Sequence, residues 1–162
     1  TEYETGIDRP HSQFRQLNKN KRGNYLIPLI STSEVREISP SGKLINSFKV
    51  EGTPFTTLES TDGNYWIACG DGHTLIEVNP NDGQIIRRYN ENDIKGVRLF
   101  FTAGLCKSAD GNLYICNWQG HSHDANAANS PQLFEINQKG EVIWSLNDNQ
   151  TFGMISAVST IN

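Results

Sequence analysis

A glycine-centred segment that occurs three times constrains this chain more than any other feature. Gly23-Asn24-Tyr25-Leu26-Ile27 returns as Gly63-Asn64-Tyr65-Trp66-Ile67 and again as Gly111-Asn112-Leu113-Tyr114-Ile115, at intervals of 40 and 48 residues. A second shared segment follows each one: Val35-Arg36-Glu37-Ile38, Leu75-Ile76-Glu77-Val78 and Leu133-Phe134-Glu135-Ile136. Then comes a turn at Gly42, Gly83 or Gly140 and a last apolar run, Lys43 to Phe48, Gln84 to Tyr89 or Glu141 to Leu146. The apolar runs are four to six residues long and rich in Val, Ile, Leu, Tyr, Trp and Phe, which suits strands and is too short for helices. Asp62-Gly63-Asn64 and Asp110-Gly111-Asn112 supply the residues that tolerate positive φ where two strands reverse tightly.

Each unit therefore reads as four antiparallel strands, with inner starts near Phe14, Phe55 and Thr102. A four-stranded unit of about 40 to 50 residues in tandem is the pattern of a β-propeller blade. The fold class is all-β, with blades at about 9–52, 53–99 and 100–150 and residues 151–162 as the inner strand of a further blade. Three blades are fewer than the 4 to 8 of closed propellers. An open arc leaves apolar faces and strand edges in water. The expectation is the C-terminal part of a six- or seven-bladed propeller, closed by a missing N-terminal half or by self-association with another copy of the chain.

The 162 residues carry 14 Lys plus Arg against 18 Asp plus Glu, a net charge of -4. This balance argues against nucleic acid as a partner, because a grip on phosphates needs a basic stripe. No apolar run approaches the roughly 20 residues of a membrane-spanning helix. Cys69, Cys106 and Cys116 include no Cys-x-x-Cys pair and read as apolar fillers of strands.

Residues present in every blade sit at rotated, distant positions, so they read as structural. Glu37, Glu77 and Glu135 fall in this class, as do the turn aspartates Asp62 and Asp110. Departures from the repeat point to function. Gly23 to Glu37 and Gly63 to Glu77 span 14 residues, but Gly111 to Glu135 spans 24, so ten extra residues lie within Asn117 to Pro131. A smaller insertion lies near Asn90 to Arg98. Both loops leave the disc on the face opposite the glycine turns, and His11, before the first inner strand, belongs to the same rim. The candidate ligand site is His11, Arg15, Arg98, Trp118, His121, His123 and Asp124. His121-Ser122-His123-Asp124 has the side chains of a metal fragment, but no further ligand at a recognisable spacing completes it. No cofactor is therefore assigned. His73 reads as exposed, Trp66 and Trp144 as packed between blades, and Trp118 as a flat surface for a sugar or aromatic ring.

The spacing of Leu75 to Tyr89 and Leu133 to Leu146, with its turn glycines and Trp144, resembles bacterial quinoprotein-like (PQQ-like) propellers. That resemblance implies export, to the periplasm or cell surface. It also implies an alternative function as a quinone-dependent oxidoreductase, or as an arylsulfotransferase-like enzyme using His11 with Arg15 and Arg98. The residues themselves show no nucleophile-base pair, acid pair or phosphate loop. The primary expectation is thus a non-catalytic propeller that binds a small molecule, glycan or protein on its insertion-bearing face, with a purely structural propeller as a further option.

Overall fold

The computed structural model describes residues 2, 4, 6, 16–124 and 126–160. Phe14, His11 and Arg15 lie outside the described residues. Twelve strands form three antiparallel sheets, each with its strands side by side in chain order. The first holds β1 (Asn18–Lys19), β2 (Tyr25–Leu29), β3 (Glu34–Ile38) and β4 (Leu44–Lys49). The second holds β5 (Thr56–Glu59), β6 (Tyr65–Ala68), β7 (Leu75–Val78) and β8 (Ile85–Tyr89). The third holds β9 (Phe101–Lys107), β10 (Leu113–Trp118), β11 (Leu133–Ile136) and β12 (Val142–Leu146). These are propeller blades, and the three do not close into a ring. Only two single 3-10 turns interrupt the β structure among the described residues, and no helix there is long and apolar enough to cross a membrane.

The repeat seen in the sequence is a repeat of register. Tyr25 pairs with Ile38, Tyr65 with Val78 and Leu113 with Ile136. In each sheet the pairing of the third and fourth strands shifts at the repeated glutamate. The reason these residue types recur is visible there. All three glutamates are buried, and each accepts a hydrogen bond from the asparagine of its glycine turn: Asn24 at 2.6 Å, Asn64 at 3.4 Å and Asn112 at 2.9 Å. A buried carboxylate needs such donors. The repeated Gly-Asn and Glu are thus two ends of one brace between the first hairpin and the third strand of each sheet.

Alternation along the strands builds the core on both sides of the middle sheet. Tyr65 and Ile67 face the first sheet, packing with Leu26, Val35 and Phe48. Trp66 and Ala68 face the third, packing with Leu105, Leu113, Ile115 and Phe134. With both faces covered, all four residues of β6 are buried, which is why Tyr-Trp-Ile-Ala reads as an unbroken apolar run. Each such side chain contributes about 1.5 to 3 kcal/mol by leaving water. Cys69 and Cys116 are buried fillers, and burial pushes their thiols up to about 11 and about 12.

Trp66 packs between blades, as expected. Trp144 does not. It is 45% exposed on β12, edge-on to Tyr114 at 6.3 Å, because no sheet among the described residues covers that face of the third blade. Residues 153–160 run beside β9 without joining a strand ladder. Gly104 is what lets them approach, since a Cβ there would lie 2.8 Å from Ala157 Cα and 2.9 Å from Ser156 O. Gln16 and Asn18 reach across the inner strands in turn, donating to Leu105 O at 2.9 Å and Thr57 O at 2.9 Å.

Candidate functional site

The loop joining β6 to β7, the connector from β8 to β9 and the long loop joining β10 to β11 meet at one end of the arc. This is the convergence expected from the insertions. Gly70 bridges to Thr102, drawing the short loop against the start of β9. A Cβ on Gly70 would lie 2.2 Å from the Phe55 ring and 2.8 Å from Phe101, so only glycine lets these rings sit edge-on at 4.5 Å. From Phe101 the aromatic contacts continue to Trp118, at 5.3 Å, and to His121, 4.6 Å from Trp118. Such edge-to-face pairs fix ring orientation. His121 Nδ1 lies 3.0 Å from Asp71 Oδ1, so a histidine of the third blade is oriented by a carboxylate of the second. Ile30, Phe55, Phe101, Ala103, Trp118 and His121 wall an open cleft of about 500 Å³ beside the inner strands.

A second cleft of about 260 Å³ shares Asp71, Phe101, Trp118 and His121 and adds Glu91 and Arg98. Arg98 is held by two carboxylates and a ring: Nε pairs with Glu91 Oε1 at 2.6 Å, Nη1 with Asp124, and the guanidinium lies 4.8 Å from the centre of the Phe100 ring. The backbone N–H of Asn126 and then Arg98 hold the Asp124 carboxyl below its usual range. Below them, buried Asn117 fastens connector to loop. Its Oδ1 accepts from Phe100 N at 2.7 Å, and its Nδ2 donates to Arg98 O at 2.9 Å and Pro131 O at 3.0 Å.

Of the residues singled out from sequence, the structure brings together Arg98, Trp118, His121 and Asp124. His123 is exposed and lines neither cleft, and His11 and Arg15 lie outside the described residues. The metal fragment does not assemble: Asp124 faces Arg98, His121 faces Asp71, and no group of three or more metal-ligating side chains occurs among the described residues. His73 is exposed, with Nδ1 against Phe100 O. Sequence reasoning missed Phe55, Asp71, Phe101 and Asn117. Asp71 lies in the short loop Gly70-Asp71-Gly72-His73, whose departure from a simple turn was the only signal for it.

Residues 1–141 match the family model described as Mal s 1 allergenic protein-like. The chain belongs to that family. A solved structure of a protein from Bacteroides caccae, described as of unknown function, is 55% identical with a TM-score of 0.82. The match covers 97% of this chain and 57% of that one, so the chain spans little more than half its relative's length. Virginiamycin B lyase from Staphylococcus aureus is 14% identical over 90% of this chain and 44% of its own, with a TM-score of 0.61. Hydrazine synthase from Kuenenia stuttgartiensis is 16% identical over 91% of this chain and 40% of its own, with a TM-score of 0.64. At these identities the likeness is one of fold, and the fold is that of a β-propeller. No curated protein matches the chain.

Proposed function

We propose that the protein is a binding propeller, non-catalytic, that takes a planar ring of a small molecule or glycan into the cleft beside its inner strands. The observation that carries this reading is the run of edge-to-face rings from Phe55 through Phe101 to Trp118 and His121, set along a cleft of about 500 Å³. Clefts with mostly apolar walls and a few placed polar groups are the common form of small-ligand sites. Here the polar groups are the His121–Asp71 pair, Gln16 and Ser156. The reading includes export, to the periplasm or cell surface, in line with the resemblance to exported propellers.

Isothermal titration against a panel of glycosides and aromatic metabolites tests it, with Trp118 fluorescence as a second signal. Trp118→Ala is expected to weaken the best ligand by about 1 to 2 kcal/mol, roughly five- to thirty-fold. Affinity unchanged in both Trp118→Ala and His121→Ala removes the site.

One observation favours a second reading, an enzyme on the same scaffold. The Asp71 carboxylate 3.0 Å from His121 Nδ1 orients an imidazole that opens on the cleft, which is the arrangement a proton-transferring histidine needs. The arylsulfotransferase-like version gains nothing from Arg98, which is committed to Glu91 and Asp124. Turnover of a bound ligand that is lost in His121→Ala while binding persists would replace the first reading with the second.

A further inference from the structure

Internal symmetry exposes a second site, away from the channel cleft, at the glycine-turn end of the interface between the second and third sheets. At the first interface Tyr65 of β6 is fully buried against the first sheet, and its hydroxyl donates to Glu37 Oε2 at 3.0 Å. Asn20, Arg22 and Asn24 complete that shell, so Glu37 accepts five hydrogen bonds. The next interface keeps the glutamate and loses the shell. Register puts Leu113 where Tyr65 stands, and the repeat puts Ser60 for Asn20 and Asp62 for Arg22. Glu77 is 4% exposed, yet among the described residues its side chain meets only Asn64 Nδ2 at 3.4 Å and Arg87 Nε at 3.7 Å.

The missing phenol leaves a space. Trp66, which replaces Leu26 of the first interface, fills part of the slot and is fixed there by stacking on Tyr89 at 6.1 Å and 11°. Between Trp66, Leu113, Ile136, Glu77 and Ser60 remains a pocket of about 250 Å³. A cavity of about 150 Å³ is enough for a benzene ring. Trp66, Leu113 and Ile136 offer such a ring an apolar wall, Asp62, Arg87, Asn137 and Gln138 line the polar remainder, and Glu77 offers a hydroxyl the same acceptor type that Tyr65 meets one blade earlier. We infer that this pocket is a binding site for small phenols, with the ring against Trp66 and Leu113 and the hydroxyl donating to Glu77. Burial raises the Glu77 carboxyl above its usual range, in keeping with a carboxylate that lacks donors.

The test uses p-cresol, the free form of the tyrosine side chain, titrated into the purified chain by calorimetry and ligand-observed NMR. The expected results are saturable binding, about tenfold weaker binding of toluene, and nuclear Overhauser contacts from p-cresol to the Trp66 indole. Leu113→Tyr, which restores the internal phenol, is expected to weaken p-cresol at least about tenfold, a difference of about 1.4 kcal/mol. The Overhauser contacts to Trp66 are expected to persist in Trp118→Ala, which separates this pocket from the cleft beside the inner strands. Absence of saturable binding, toluene binding as tightly as p-cresol, wild-type affinity in Leu113→Tyr, or loss of the Trp66 contacts in Trp118→Ala would each overturn the assignment. The Overhauser contacts decide the matter on the unmodified chain should Leu113→Tyr fail to fold.

Discussion

Glu37 shows how much one side chain can organise. It stands 2% exposed at the first interface, and Asn20, Arg22, Asn24 and Tyr65 all point their donors at it. Replacing it with leucine strands those donors rather than merely deleting bonds, and breaking a buried charged pair from one side costs about 3 to 5 kcal/mol. Arg22 is largely exposed and regains water, so about 3 kcal/mol is expected for Glu37→Leu in urea unfolding. Glu135 keeps fewer partners, and Glu135→Leu is expected to cost nearer 1 kcal/mol. Glu34 adds a pH dependence. Burial alone would raise its carboxyl, but hydrogen bonds from Arg36, Ser47 and Lys49 outweigh this and bring it from 4.5 to about 2. A carboxyl lower in the folded than in the unfolded chain stabilises above its unfolded value and loses that contribution as pH falls toward the folded one. The unfolding midpoint is therefore expected to drop between about pH 4.5 and pH 2, and to drop less in Glu34→Gln. Glu77 works in the opposite sense: burial raises its carboxyl, so its contribution is present at low pH and fades as pH rises.

At the scale of elements, hairpin turns and the long loop obey different constraints. Gly23, Gly63 and Gly111 have φ of 78°, 92° and 83°, a region costly to any residue with a Cβ. Nothing lies within 4 Å of a Cβ built on Gly63, whereas at Gly111 it would meet Thr61 Oγ1 at 2.8 Å. Gly63→Ala is thus expected to cost about 1 to 2 kcal/mol from backbone strain alone, and Gly111→Ala more, as read by thermal melting. In the long loop, glycine serves the site instead. A Cβ on Gly120 would lie 2.1 Å from the Trp118 ring. Gly120→Ala is therefore expected to displace that ring and to weaken the ligand binding proposed for the cleft beside the inner strands, while the three sheets melt close to the wild-type temperature. Asn117 explains how a loop with ten extra residues holds a fixed shape: its buried amide satisfies backbone groups of the connector and of the loop together.

At the largest scale, the decisive asymmetry among the described residues is that the middle sheet is covered on both faces and the third on only one. Trp144 and Tyr114 line the uncovered side, Tyr114 at the position where Trp66 is buried one blade earlier. An apolar face of this kind attracts partners or probes. Binding of the dye ANS to this chain is expected, with a marked loss of fluorescence in the Tyr114→Ser, Trp144→Ser double variant. Equal dye binding by wild type and double variant would show that the face is covered in solution.

The spacing of glycine, asparagine and glutamate determined the three four-stranded sheets, their register and the end of the arc at which the insertions gather, because turn geometry and strand alternation are local and repeat with the chain. Trp118, His121, Arg98 and Asp124 were legible for the same reason, as departures from a regular background. Asp71, Phe55 and Phe101 were not, since each resembles an ordinary strand or turn residue until a neighbouring blade is placed beside it. The exposure of Trp144 and the open pocket beside Glu77 likewise depend on which sheet lies opposite. Contacts between neighbouring blades join residues well separated in the chain, 28 positions for Tyr65 and Glu37 and 50 for Asp71 and His121, and only packing in three dimensions decides which side chains fill the space and which leave it empty.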